Sequence, residues 1–307
     1  EEEKYQDLEY AKKAYTIFLD DLLHSATTRA CVFGTCHPDA TFWLMEQMEV
    51  AGLAGYVGKV NMDRNSPEGL CEESAKASAE ATENWILAAK NLSNVRPILT
   101  PRFIPTCSDE LMELLSGLQK QYDLPMQSHL SENLSEIDWV KELQPKASCY
   151  GDAYRIHGLF GGDCPTIMAH CVYSGEEEIR MMKEQGVFIA HCPESNANLS
   201  SGIAPARKYM ELGMQMGLGT DVAAGSSISL FRAMAMAIQC SKLRWRLVDQ
   251  NQAPLTVEEV FYLATKGGGA FFGKAGSLEE GCEFDAVVID DQKIRNARPL
   301  SVRERLE

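Results

Sequence analysis

The chain has 307 residues, of which 45% are hydrophobic and 24% are charged, as is typical of a globular enzyme with one large domain or two ordinary ones. Its 29 basic and 44 acidic side chains give a formal net charge of −15, which disfavours a nucleic-acid backbone or an anionic membrane as a partner. The sequence has no apolar run long enough to cross a bilayer and no signal-peptide pattern, so we expect a cytoplasmic protein.

Short apolar, β-branched segments alternate with helical patterns along the chain. Seven such segments are predicted to be strands, over residues 29–35, 55–62, 95–103, 125–130, 165–173, 187–195 and 215–221. Strands that are apolar on both faces and alternate strictly with helices predict a parallel sheet covered by helices. Two architectures fit, an open doubly wound sheet and a (β/α)8 barrel with one unit missing. The barrel is favoured because "GLGTDV" has valine where the open sheet's nucleotide-binding pattern needs its third glycine.

The two ends of the chain carry separate expectations. After the last helix, "GCEFDAVVIDD" is predicted to be one more strand, part of a small β-unit. We therefore expect an α/β TIM-type barrel over residues 1–281 and a segment of this β-unit over residues 282–307. The chain begins at Glu1 without an initiator methionine and leads directly into a helical pattern. The sequence is accordingly expected to be a piece of a longer protein.

Ionisable side chains end five of the seven predicted strands, which is where a barrel builds its active site. These residues are Arg102, His129, His170, His191 and Asp221. A single histidine at a strand end is usually a core or rim residue whose ring nitrogens are hydrogen-bonded. Several histidines at one barrel mouth would instead be separate polar groups without partners. A divalent metal ion satisfies them together, since neutral imidazole and carboxylate are ligands of zinc. Water at an open position of the ion becomes a hydroxide nucleophile near neutral pH, so we predict a hydrolytic metal centre.

Glu132 follows His129 by three residues and is predicted to act on protons without binding the metal. From that position a carboxylate reaches the hydroxide or the substrate and serves as a proton shuttle. Asp221, as ligand and base, is predicted to take the proton from the water. The alternative for Glu132 is a carboxylate at the N-terminus of the following helix, "SEIDWV".

Five stretches resemble the metal-dependent deaminase branch of the amidohydrolase superfamily, and within it the guanine deaminases. They are "TPRF", "QSHLSEN", "MAHCV", "IAHCPESNANLSSG" and "GLGTDVAAGSS". The tail "LTVEEVFYLATKGGGAFFG" with "GCEFDAVVID" also resembles that family's closing helix and the return strand of its sandwich. The resemblance covers almost the whole chain, and it is the combination of stretches that is specific.

The resemblance implies roles for the residues that match. His129 and Asp221 become metal ligands, and His170 either ligates too or holds the hydroxide. The cofactor is one zinc ion per subunit, with iron as the other possibility, and Glu132 is the acid/base. A homodimer is also implied.

The implied reaction is hydrolytic deamination of guanine to xanthine and ammonia, with attack at C2. Residues expected around the base are Arg102, Phe103, His129, Leu130, Ser131, Glu132, His191 and Asp221. A guanidinium fork suits the adjacent O6 and N7 acceptors of guanine, and an aromatic face stacks on the ring. The alternatives are a salt bridge at the barrel rim for Arg102 and a hydrogen bond in the core for His191.

One departure from the family pattern leaves rival functions open. The family carries a His-x-His pair at the end of its first barrel strand, and no two histidines in this chain have that spacing. The resemblance therefore implies that the barrel lacks its first strand in this chain. One rival is a related deaminase that acts on another aminopurine, a pterin, a pyrimidine or an adenosyl thioether. The other is an inactive, metal-free scaffold. The separate cytidine-deaminase zinc fold is disfavoured because His-x-Glu and Pro-Cys-x-x-Cys are absent.

Overall fold

Short parallel strands follow one another in chain order in this computed structural model, which describes residues 1–290 and 297–306. The strands are β1 (Arg29–Phe33), β2 (Ala54–Gly58), β3 (Val60–Asn61), β4 (Val95–Pro97), β5 (Thr100–Pro101), β6 (Met126–Leu130), β7 (Thr166–His170), β8 (Phe188–His191) and β9 (Met216–Leu218). The helices are α1 (Leu8–Leu23), α2 (Pro38–Val50), α3 (Ala75–Ala89), α4 (Asp109–Tyr122), α5 (Leu134–Leu143), α6 (Tyr150–Arg155), α7 (Glu176–Gln185), α8 (Pro193–Asn198), α9 (Ala206–Glu211), α10 (Leu230–Leu247), α11 (Val257–Tyr262) and α12 (Val302–Leu306).

The strands join into the wall of a barrel. They pair in the orders β1-β2-β4, β3-β5 and β6-β7-β8-β9, and every pairing is parallel. A parallel bridge between Leu99 and Met126 connects the first strands to the last group. With helices between successive strands, this confirms the predicted α/β TIM-type barrel.

The wall is open between its first and last strands. Within the described residues, β1 and β9 each pair on one side only. A cleft of about 710 Å³ lies between them, and its lining includes Val32, Phe188, Gly217 and Phe271. The opening lies where the prediction leaves one barrel strand out.

Two predicted strands are interrupted in the structure. The segment 55–62 divides at Lys59, whose fully buried ammonium pairs with the Glu72 carboxylate. The segment 95–103 divides at Ile98 and Leu99, whose backbone N–H groups donate to Val57 on one side and to Pro125 on the other. The breaks leave the seven strand positions of the barrel in the predicted order.

Local side-chain bonds fix where several helices begin. Helices α3, α4, α5 and α11 are each capped by a side chain that accepts a backbone N–H from the first turn that follows. The capping residues are Ser74, Ser108, Asn133 and Thr256.

In the parts of the chain that the structure describes, no helix has both the length and the apolar character that a bilayer crossing requires.

Apolar side chains fill both sides of the barrel wall. The larger core lies between the strands and the helices and includes the fully buried Leu44 and Leu111. A smaller cluster is formed by Ile98, between β4 and β5, with Ile167 of β7 and Phe188 of β8. Because both layers are apolar, polar side chains collect at the carboxyl ends of the strands.

The C-terminal segment differs from its prediction. Residues 283–290 form no strand, so the predicted return strand of a β-sandwich is not confirmed. No strand among the described residues pairs with them, and Phe284 and Val288 are 83% and 95% exposed. The segment is fixed instead by Arg29 of β1, which pairs with Glu283 and Asp285 at 2.5 Å each. Residues 291–296 and 307 of the predicted 282–307 unit lie outside the described residues, and that domain division stays a prediction.

Candidate active site

The strand-end residues lie at one face of the barrel. His129 is the fourth residue of β6, whereas His170 and His191 end β7 and β8. Asp221 lies three residues beyond the end of β9, and Glu132 lies two beyond β6. Since all these strands are parallel, their carboxyl ends meet at the same rim.

Three of these side chains converge on the imidazole of His170. Its Nε2 lies 3.8 Å from Oε2 of Glu132 and 3.9 Å from Oδ2 of Asp221. The ring of His129 stacks on that of His170 with centroids 5.4 Å apart and an interplanar angle of 17°. Two imidazoles and two carboxylates therefore share one small region of the barrel mouth.

Hydrogen bonds to the other ring nitrogen set the tautomer of both imidazoles. Nδ1 of His170 lies 2.8 Å from Oδ1 of Asn196, and Nδ1 of His129 lies 2.6 Å from the carbonyl oxygen of Arg102. Both oxygens only accept, so each Nδ1 carries a proton and donates it. In the neutral rings each Nε2 then keeps its lone pair, which is the form of histidine that binds metals.

A cation fits this arrangement. The Nε2 lone pair of His170 faces two carboxylate oxygens, and this repulsion is relieved either by a second proton on the ring or by a divalent metal ion. Two ligand atoms that bind the same ion at about 2.0–2.2 Å lie roughly 3–3.5 Å apart. The distances from His170 Nε2 to the two carboxylate oxygens, 3.8 and 3.9 Å, are close to this separation. Within residues 1–290 and 297–306, no three His, Cys, Asp or Glu side chains are already gathered tightly enough to hold an ion. The Asp221 side chain, at the rim of this group, is 32% exposed.

Burial adjusts the protonation of two histidines. The pKa of His129 is lowered, mainly by burial and secondly by the neighbouring His170. The same two causes, in the same order, lower the pKa of His191 to about 4. Both rings are therefore neutral at physiological pH.

Glu132 is held in place by a hydroxyl group. Ser201 Oγ donates to its Oε1 at 2.7 Å, which leaves Oε2 directed towards His170. The role of helix cap belongs to Asn133, whose side chain accepts from the backbone N–H of Glu136. Glu132 thus precedes the helix and faces the imidazole.

Arg102 and Phe103 lie beside this group. The guanidinium carbon of Arg102 is 5.8 Å from the ring centroid of Phe103, and its Nη1 is 3.7 Å from the sulfur of Met62. The Phe103 ring meets those of His129 and Trp139 edge-on, at 6.5 and 6.3 Å. An aromatic face and a guanidinium group are therefore presented next to the imidazoles.

Other predicted site residues lie apart from the convergence. The Leu130 side chain is fully buried in the main core, and the Ser131 hydroxyl donates to Oε2 of Glu178 at 2.7 Å. His191 is 3% exposed, and its Nδ1 has no hydrogen-bond partner among the described residues. The expected contacts of Leu130 and Ser131 with a substrate stay predictions.

Left-handed backbone marks the same rim. Ser131, His170, Cys171 and Asp221 have φ of 48°, 74°, 48° and 49°. Such conformations cost roughly 1–3 kcal/mol each in non-glycine residues, and they cluster where a side chain must be aimed away from the regular strand direction.

Three residues that bind predicted site residues were not themselves predicted: Asn196, Ser201 and Glu178. Asn196 and Ser201 lie within the stretch "IAHCPESNANLSSG", of which only the histidine was interpreted. The signal available there was a run of small polar residues directly after a strand end. Glu178 is on α7 and 2% exposed, and it carries no comparable sequence signal.

Comparison with known proteins places this arrangement in a family. The sequence pattern of the amidohydrolase family matches residues 3–304. The chain is 39% identical over 294 residues to guanine deaminase of Dictyostelium discoideum, covering 94% of this chain and 64% of that protein. It is 35% identical over 317 residues to guanine deaminase of Escherichia coli, covering 99% and 69%. The chain thus spans 64% of the length of the Dictyostelium relative.

A solved structure is similar in fold and sequence. It is guanine deaminase from C. acetobutylicum with guanine bound in the active site. Superposition gives a TM-score of 0.91 with 49% identity and covers 94% of this chain and 69% of that one. The relation therefore extends over nearly all of the barrel described above.

Proposed function

The chain belongs to the amidohydrolase family, and from this premise we propose that the protein hydrolyses guanine to xanthine and ammonia. The observation that carries the proposal is the convergence of His170 Nε2 with Oε2 of Glu132 and Oδ2 of Asp221. The substrate is supported by similarity to guanine deaminases, one of which contains guanine in its active site.

The proposed cofactor is one divalent ion per subunit, and zinc suits the imidazole and carboxylate donors best. His129, His170 and Asp221 would hold it, while iron accepts the same ligand types. When bound, such an ion supplies the Lewis acidity that makes water nucleophilic near neutral pH. The two Nδ1–H bonds, to Asn196 and to Arg102, support this role because they keep both Nε2 atoms free.

Glu132 and Asp221 would move the protons. The Asp221 carboxylate takes a proton from the attacking water, and Oε2 of Glu132 delivers one to the ring nitrogen beside C2 of guanine. Glu132 then takes the proton of the new C2 hydroxyl and passes it to the departing amine, which leaves as ammonia. The proton held by Asp221 returns to Glu132 before the next turnover. One water molecule is consumed, and xanthine remains. The hydroxyl of Ser201 on Oε1 supports this role because it leaves Oε2 available.

Arg102 and Phe103 would bind the base. The guanidinium fork can donate to O6 and N7 of guanine together, and the Phe103 ring can stack on the purine. Adenine carries an amino donor in place of O6, so the same arginine would select against it. The proximity of Phe103 to the His129 ring supports a base placed next to the proposed metal site. Buried His191 would line the pocket floor.

The setting of the activity is part of the proposal. We propose a cytoplasmic homodimer that acts on free guanine in purine catabolism and has no nucleic-acid or membrane partner. The net charge of −15 supports the absence of polyanionic partners. All ten cysteines are free, which suits a reducing compartment.

A substrate comparison tests the proposal. The full-length protein is supplied with guanine, adenine or cytosine in parallel, and xanthine and ammonia are measured. Guanine is expected to be the preferred substrate, with one xanthine formed per ammonia. Preference for adenine or cytosine would overturn the assignment, and a protein that purifies with no stoichiometric metal and no activity would favour the scaffold.

A further inference from the structure

One short segment contacts several parts of the site. This segment, residues 193–202, consists of α8 and the turn that follows it. Each of its contacts with the site comes from a different side chain.

The first contact fixes His170. Asn196 is 1% exposed, and its Oδ1 accepts the proton on Nδ1 of His170 at 2.8 Å. Its Nδ2 has no partner among the described residues. A buried amide that satisfies only one end costs stability relative to a leucine of similar size. The bond to His170 is the feature that accounts for an asparagine at this position.

The second contact fixes Glu132. Ser201 is 4% exposed, and its Oγ donates to Oε1 of Glu132 at 2.7 Å. The backbone N–H of Ser201 donates in turn to the carbonyl oxygen of Asn196 at 2.9 Å. The placement of the carboxylate is therefore tied through the backbone to the same asparagine that holds the imidazole.

The segment is also anchored to the loop that carries Asp221. Asn198 Nδ2 donates to the carbonyl oxygen of Ala224 at 2.9 Å. Glu194 accepts from Ser226 Oγ and from Arg232 Nε, both at 2.6 Å. His170, Glu132 and the loop that carries Asp221 are thus each held by a hydrogen bond to this one segment.

We propose that Asn196 and Ser201 are positioning residues that set the distance and orientation between His170 and Glu132. This inference rests on the proposed function. Asn196 determines which nitrogen of His170 is free, and Ser201 determines which oxygen of Glu132 is free. Neither touches the reacting atoms, and each acts through the residue that it holds.

The test for Asn196 is metal affinity measured without substrate. Zinc is titrated into the metal-free full-length protein in competition with a chromogenic chelator. Asn196→Leu removes the acceptor and is expected to weaken zinc binding about 10–100-fold. Asn196→Asp keeps an acceptor and is expected to stay within about threefold of wild type. Wild-type affinity in Asn196→Leu would overturn the role.

The test for Ser201 is a split between kcat and KM. Ser201→Ala is expected to lower kcat about tenfold or more with KM nearly unchanged, because the lost bond orients a charged group. Ser201→Thr keeps the hydroxyl and is expected to recover most of the rate. Ser200→Ala removes the exposed hydroxyl of the preceding residue and serves as the matched control. Wild-type kcat in Ser201→Ala would overturn the role.

The outcomes separate this inference from the proposed function. If wild type does not deaminate guanine, the proposed function fails, while the zinc titration still decides the role of Asn196. If wild type is active and the variants retain both rate and affinity, the inference alone fails. Circular dichroism verifies folding, and if Asn196→Leu does not fold, the kcat of Ser201→Ala decides.

Discussion

Nε2 of His170 lies 3.9 Å from Oδ2 of Asp221, although the two residues come from strand ends 51 positions apart in the chain. The proton on Nδ1 of His170 is bound by Asn196, so a lone pair faces the carboxylate. A shared cation is the arrangement that makes such a pair favourable.

Replacement of Glu132 by glutamine is expected to remove turnover without removing the metal. A glutamine side chain keeps the size and the bond with Ser201 but cannot carry a proton, so kcat falls about 10²–10⁴-fold. Xanthine formation is measured beside zinc content. Glu142→Gln, an exposed change on α5, is the control. Near-wild-type activity in Glu132→Gln would mean that another group shuttles the proton.

Arg102→Lys is expected to weaken recognition of the base. Lysine keeps the charge but loses the two-pronged donor, which is worth about 1–3 kcal/mol and lowers kcat/KM roughly 5–150-fold. The backbone bond from His129 to the carbonyl oxygen of residue 102 is retained. Arg96→Lys, at an exposed position of β4, is the control. An unchanged ratio of guanine to adenine turnover would contradict the role.

Metal removal is expected to lower both activity and stability. An ion present at about 1,000 times its Kd adds roughly 4 kcal/mol to the free energy of unfolding, so a chelator lowers the midpoint of thermal unfolding. Asp221→Asn is expected to show no such shift. Asp138→Asn, an exposed change on α5, is expected to shift as wild type does. A chelator effect of equal size in Asp221→Asn would place the ion elsewhere.

Glu178 is expected to make stability depend on pH. Burial raises its pKa above the ordinary 4.5, so the folded state binds more protons than the unfolded state between the two values. The contribution of this group to the free energy of unfolding is therefore lost as pH rises through that interval. Glu178→Gln can keep both hydrogen bonds, with the backbone N–H of Gly151 and with Ser131.

Urea unfolding at about pH 5 and about pH 8 checks the sign. The stability of Glu178→Gln relative to wild type is expected to increase with pH. The control is Glu177→Gln, one position earlier on the exposed face of α7, which is expected to follow wild type at both pH values. A relative stability of Glu178→Gln that decreases with pH would contradict the raised pKa.

The order of the strands could be predicted because barrel strands are apolar on both faces and leave short uniform runs. For the same reason, the polar residues that end those runs, such as His129, His170 and Asp221, were visible as exceptions. Sequence periodicity also located the barrel rim, since parallel strands present their carboxyl ends together. Sequence periodicity does not show which side-chain atoms face one another at the rim.

The supporting contacts could not be predicted because they depend on side chains that meet only after folding. Ser201 reaches Glu132 across 69 positions, and Ser131 reaches Glu178 across 47. The predicted C-terminal strand is not confirmed for a related reason. An apolar, β-branched run such as 286–289 forms a strand only where a neighbouring strand offers an edge, and propensity does not report the partner.

Anomalous diffraction at the zinc absorption edge, from crystals of the metal-loaded full-length protein, tests the convergence most directly. The account predicts one peak within about 2.0–2.2 Å of the Asp221 carboxylate and the His129 imidazole, with His170 Nε2 beside it. A peak bound to other side chains, or none in protein that carries stoichiometric zinc, would contradict it.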